Sequence, residues 1–403
     1  MLEIKILLFR CSITIKLNKN LDIYKGIPGI KTYKEMGAGS IPDLKRRKFM
    51  NKNEIIIQDS PITAYLNVAY PLMLILNNPH LLNWYYEHFI NIYSQCWSID
   101  FMRIDFLDSS RFFGDILDRN SLKIEEAHNI DILDFIKENI DSGYCLNVFT
   151  IDEYYLSASI CYKNSHMIHE ILIYGYDYDL GILKVVGYDK KGVFSRFYYN
   201  TKEFEEAFKA GLSNPPDYLV DALHKMRLRH FFCDYKFSLN KFLYELKKYL
   251  FLIPDQEKKY FSIASNDAVI YGKQVYDSLI VYLKESITSE NEMEINYLSI
   301  HFFYEHKKIL LERFLFIERN YKLGNNFTSL ILEYEENVSL SNSIRLSFLK
   351  RALVESGFKD RMHVKNKDYL NDLFNKLTQC KNKDEEILSE VYRLLCKYDE
   401  YSI

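Results

Sequence analysis

His169 and Asp189 are twenty positions apart, and the residues between them have the pattern of a β-hairpin. An apolar run, Ile171 to Tyr174, is followed by a Gly-Tyr-Asp turn at Gly175 to Asp177. A second apolar run, Ile182 to Val186, ends in Gly187-Tyr188-Asp189. Apolar runs of this length divided by Gly and Asp predict two paired strands, and such a hairpin brings His169 beside Asp189. A carboxylate on one imidazole nitrogen leaves the other free to take a proton. That is the base-and-orienter half of a nucleophilic catalytic unit. Two ordinary polar residues at strand ends would give the same pattern, so both readings stand at this point.

A second candidate is a hydroxyl. Ser60-Pro61 precedes Ile62, Leu66, Ala69, Met73 and Leu76, which follow a helical period. The pattern predicts a helix over 61–76 with Ser60 capping it; a nucleophile's role for Ser60 is implied only by a family resemblance. Asp152-Glu153-Tyr154-Tyr155 follows a predicted strand over 143–150. It reads as a solvated loop or, at Asp152, as a group that binds a substrate amine. Cys161, His166 and His169 are poor zinc ligands as a set. His166 and His169 are three apart ahead of a strand, where an odd offset sends side chains to opposite faces. There is no P-loop, no dinucleotide fingerprint and no G-x-S-x-G elbow.

The elements that must position these groups come from the rest of the pattern. The chain has 403 residues, enough for two domains, and its 48% hydrophobic content supports a sizeable core. Abundant Ile, Asn, Lys and Tyr read as codon bias of an AT-rich bacterium. Net charge is −3, which makes no overall electrostatic case for nucleic acid. The basic stretch from Lys225 to His230 reads as a solvated face or as a landing site for an acidic helix. Seven scattered cysteines with no C-x-x-C spacing suit a reducing cytoplasm. No apolar run approaches a membrane span, so no membrane association is expected. Residues 1–49, with clustered Gly and Pro and the run Lys45-Arg46-Arg47-Lys48, read as a poorly ordered extension, and Met50 as an alternative start. A helix over 131–140, a strand over 194–199 and a helix over 201–210 complete a mixed first part. From Phe237 the texture turns helical, with Phe242, Leu243, Leu246, Tyr249 and Leu250 on one face.

The order His169, apolar strand, Gly175-Tyr176-Asp177, second strand, Asp189 resembles the His strand of papain-like proteins. It is most similar to the C39-peptidase-like group and to the N-terminal domain of the butirosin biosynthesis protein H family. The resemblance covers residues 54–212. The phrases Tyr271 to Asp277 and Tyr304 to Lys308 resemble the helical C-terminal region of the same relatives. It implies an α+β chain, with a papain-like (C39-like) cysteine-protease fold over 50–225 followed by an all-helical domain over 226–403. It also implies a cysteine nucleophile at the start of the first long helix, where this sequence has Ser60 instead. Gln58 would then be an oxyanion donor, His169 the base and Asp189 its orienter.

The activity implied is acyl transfer from the thioester of an acyl carrier protein or peptidyl carrier protein to a small amine, forming an amide in natural-product assembly. No cofactor is implied, phosphopantetheine entering only as part of the carrier-protein substrate. A catalytically impaired relative that binds a carrier protein or peptide, or a plain peptidase, are the alternatives.

Overall fold

The structure is a computed structural model. It describes residues 2–6, 13–17, 51–98, 101–107, 109–190, 193–229, 235–252, 269–288, 297–356 and 366–401. Most of the extension expected over 1–49, including its basic run, lies outside the described residues, as does His230. Within it, strands β1 (Leu2–Ile6) and β2 (Ile13–Leu17) pair antiparallel. The chain divides into two compact units. Unit one takes in Met1–Ile55 and Asn120–Lys225, and unit two Ile56–Arg119 and Met226–Ile403. The whole is α+β, with a large antiparallel sheet and a helical C-terminal region.

The large sheet runs β10-β9-β8-β7-β11-β6, with β3 (Lys52–Glu54) also paired to β8. Its strands are β6 (Leu117–Lys123), β7 (Cys145–Asp152), β8 (Ile168–Asp177), β9 (Ile182–Tyr188), β10 (Phe194–Asn200) and β11 (Asp221–Leu228). The hairpin expected from the sequence is β8–β9, paired from Leu172↔Val186 to Asp177↔Ile182, so Gly175 to Asp177, expected as its turn, are the last residues of β8 instead. Gly181 turns it with a positive φ of 65°, a conformation glycine adopts without a Cβ clash.

Unit one buries one face of this sheet under two helices, α5 (Ile132–Asp141) and α6 (Thr201–Ser213). The α5 helix starts where the sequence pattern places it, because the Asp131 carboxylate accepts the Leu133 and Asp134 amides at 3.0 and 3.1 Å. Its stripe of Ile132, Ile136 and Ile140 meets Leu146, Val148, Ile171 and Ile173 from the strands. Each such fully buried aliphatic side chain contributes about 1.5–3 kcal/mol. The α6 helix lies so close to β7 that a Cβ on Gly211 would stand 2.3 Å from the Thr150 carbonyl oxygen. Only glycine fits there, and the contact fixes the strand that leads into Asp152 and Glu153.

Unit two holds α1 (Leu66–Ile75), α2 (Leu82–Glu87) and the sheet β12-β4-β5, formed by β4 (Ile92–Ser98), β5 (Phe101–Phe106) and β12 (Val269–Tyr271). Long helices follow: α7 (Leu239–Phe251), α8 (Gln274–Thr288), α9 (Tyr297–Tyr321), α10 (Asn325–Ser356) and α11 (Lys367–Tyr401). Within the stretch that reads as helical from Phe237, residues 269–271 form instead a short strand, β12, which pairs with β4.

Among the described residues, no helix is long and apolar enough to cross a membrane. The basic face expected at 225–229 is partly neutralised. Arg227 pairs with Asp118 at 3.1 Å, and the Arg229 Nε–H donates to the Leu117 carbonyl.

Candidate catalytic site

A cluster of ionisable groups in unit one forms where β7 ends and β8 begins. The antiparallel register sets Ile151 opposite His169 and Asp152 opposite Ile168. One extra residue is accommodated on β7 between Val148 and Ile151, and bulges of this kind re-aim the side chains beyond them. A single 3₁₀ turn, Glu153–Tyr155, follows β7, capped by the Asp152 carboxylate on the Tyr154 amide. The Glu153 amide donates to the Met167 carbonyl at 2.9 Å, which ties the turn to the start of β8.

The Glu153 side chain is buried, and both its oxygens are used. Oε1 lies 3.0 Å from His169 Nδ1, and Oε2 accepts the Ser159 hydroxyl at 2.6 Å. The Ser159 oxygen in turn accepts the Cys161 amide at 3.0 Å. A carboxylate facing Nδ1 fixes the proton there and leaves the Nε2 lone pair available. Among the described residues Nε2 has no hydrogen-bond partner, and the His169 side chain keeps 13% exposure. Asp152 forms a second pair. Its Oδ2 lies 2.6 Å from His166 Nδ1, and its Oδ1 accepts the Tyr154 and Met167 amides.

Two further groups complete the cluster. Burial, first and most, pushes the Cys161 thiol up; a hydrogen bond with Ser165 opposes this and the Glu153 charge adds to it. The thiol therefore stays protonated and is a poor nucleophile. Burial also raises the Tyr199 phenol well above its usual range, with the charges of Glu153 and Cys161 acting the same way. Its hydroxyl is buried without a hydrogen-bond partner among the described residues.

The residues singled out from the sequence fall as follows. His169 has the expected carboxylate on Nδ1, but the carboxylate that meets it is Glu153. The β8–β9 pairing ends at Leu172↔Val186, three residues short of His169 and Asp189. The Asp189 Oδ1 accepts the Val193 amide at 2.9 Å, closing the turn into β10. Asp152, expected to meet a substrate amine, is buried and holds His166.

Ser60 and Gln58 belong to unit two. Ser60 does not open a helix, since α1 begins at Leu66 with Tyr65 as its N-cap. The Ser60 hydroxyl instead donates to the Ile62 carbonyl at 2.6 Å and accepts the Ile62 amide at 3.2 Å. The residues just ahead of α1 are held from far along the chain. The buried Glu305 carboxylate accepts the Thr63 amide at 2.8 Å, the Ala64 amide at 2.9 Å and the Thr63 hydroxyl at 2.7 Å. His301 Nε2 lies 3.1 Å from the same carboxylate. Burial pushes Glu305 up, but the His301 charge and these donors outweigh it and hold the carboxyl below its usual range. Gln58 is exposed, and its backbone N–H donates to the Met73 carbonyl.

Glu153, the carboxylate on His169, is not among the residues singled out from the sequence. The available signal was its place in the acidic turn directly after the strand predicted over 143–150. Among the described residues, no group of three or more His, Cys, Asp or Glu side chains could hold a metal ion. Neither a family model nor a curated protein matches the chain.

Proposed function

We propose that this chain catalyses acyl transfer from a carrier-protein thioester to an amine, with His169 as the general base. Unit one is read as the papain-like half of the architecture and the helices of unit two as its C-terminal partner. The observation that carries this reading is the Glu153–His169 pair. One imidazole nitrogen is held by a buried carboxylate while the other has no partner among the described residues, on a side chain that is not fully buried. His169 Nε2 takes the proton of the attacking amine and returns it to the departing thiolate.

The Ser60 hydroxyl is engaged in its own turn, with no thiol in its place. This favours direct attack of the amine on the bound thioester, with no acyl-enzyme at position 60. The same observation favours, as a second reading, a carrier-protein-binding relative without catalysis.

The test is intact-mass analysis of the protein mixed with carrier proteins loaded with short acyl groups and a panel of small amines. The expected result is amide product, deacylated carrier protein and no acyl adduct on the enzyme. His169→Ala should lower the rate about 10²–10⁴-fold. Hydrolysis without amide formation would replace this reading with a hydrolase, and no turnover with stable carrier binding would favour the second.

A further inference from the structure

The acidic pair at the end of β7 holds two imidazoles. Asp152 and Glu153 are consecutive, and each takes Nδ1 of a histidine near the start of β8, His166 at 2.6 Å and His169 at 3.0 Å. Among the described residues neither Nε2 has a hydrogen-bond partner. The two differ in access to water: the His166 side chain is 64% exposed and that of His169 13%. His166 lies flat on Tyr154, with ring centroids 4.2 Å apart at 17°. The groups facing His166 are Asp152, Tyr154 and Tyr155, and those facing His169 are Glu153 and Tyr188.

Resting on the acyl-transfer reading above, we propose that His166 is a second proton acceptor that serves protonated amines. An alkylammonium has no lone pair, and its nitrogen must lose two protons to become an amide. His166 takes the first and gives it to water. The free amine then attacks the thioester carbonyl, the C–N bond forms and the C–S bond breaks. His169 takes the second proton and delivers it to the leaving thiolate. One amide, one thiol and one solvent proton result, and no oxidant or reductant is needed. The exposures suit the division: the proton that leaves for solvent departs from the open imidazole, and the proton kept for the thiolate stays on the sheltered one.

The experiment compares two acceptors with the same acylated carrier protein, measured over the uncatalysed rate. Ethylamine is protonated at neutral pH and must lose both protons. Hydroxylamine is already unprotonated and loses one. His166→Gln should slow transfer to ethylamine about 10²-fold at pH 7, and the loss should shrink as pH rises. Transfer to hydroxylamine should stay within about twofold. His169→Ala should slow both acceptors alike.

Equal loss of both acceptors at every pH in His166→Gln would show a structural role and overturn the proposal, as would no loss with either. If the wild-type protein acylates neither acceptor, the acyl-transfer reading fails, and this assignment with it.

Discussion

Each unit holds a histidine in a polar cluster, and the two histidines are left in opposite states. In unit two, His306 is fully buried with both nitrogens engaged, Nδ1 by the Tyr276 hydroxyl at 2.6 Å and Nε2 by the Ile90 carbonyl at 2.9 Å. Beside it Lys307 meets Asp384 at 2.8 Å and sits 4.5 Å from the centres of the Tyr276 and Phe303 rings. The hydroxyls of Tyr334 and Tyr249 donate to the same carboxylate at 2.8 and 3.3 Å. Burial, with the charges of Lys307 and Arg313 behind it, pushes His306 down to about 3. That imidazole has neither a free nitrogen nor an affordable charged form. In unit one, Glu153 engages one nitrogen of His169 and leaves the other to take a proton. A saturated network fixes helices against one another, whereas one with a single vacancy near solvent can do chemistry.

The contrast is broken most severely at Asp384. Removing it leaves the Lys307 charge buried without its partner, which costs about 3–5 kcal/mol. Asp384→Ala should show this as a lowered urea midpoint followed by tryptophan emission, a clean reporter because the only two tryptophans, Trp84 and Trp97, both lie in unit two. A change below about 1 kcal/mol would mean the pair behaves like a surface salt bridge.

Unit one has its own weak point in Gly211. A methyl group there meets the Thr150 backbone rather than a movable side chain, so Gly211→Ala should cost about 1–3 kcal/mol through overpacking. Faster hydrogen exchange along β7 would report it, and an unchanged exchange pattern would show that α6 can retreat without cost.

The acid response comes next in size. His306 titrates near 3 in the fold against an ordinary 6.5, so between these values the unfolded chain binds more protons. Stability of unit two is therefore full above pH 6.5 and falls on acidification, at about 1 kcal/mol per pH unit. His306→Gln, which cannot titrate, should flatten that slope even as it lowers the midpoint. An unaltered slope would assign the acid response elsewhere. The smallest effect belongs to Ser60, since Ser60→Ala removes only a local turn and should leave amide formation within about twofold of wild type.

What could be read from the sequence was local. The β8–β9 hairpin, the Asp131-capped helix α5 and the strand–helix pair β10–α6 all follow from runs, turns and caps within a few residues of one another. The partner of His169 was not legible, because Glu153 arrives from the end of another strand whose register slips by one residue on the way. The Ser60-Pro61 start looked like a helix cap. The amides ahead of α1 are instead taken by Glu305, 242 positions from Thr63. Helix α10 was legible only over 346–355, because the buried stripe ahead of that segment includes Asn337 and Ser341 among Phe327, Ile331 and Tyr334, and polar members interrupt the period.

The orienter of His169 is the point on which sequence pattern and structure part, and a pair of isosteric variants separates them. Glu153→Gln and Asp189→Asn are compared in the carrier-protein amide-forming assay, each with its fold checked by circular dichroism. If Glu153 holds Nδ1, the glutamine variant loses about 10²-fold or more of the rate while the asparagine variant stays near wild type. Loss confined to Asp189→Asn, with Glu153→Gln fully active, would contradict the assignment of Glu153 and return the role to the hairpin carboxylate.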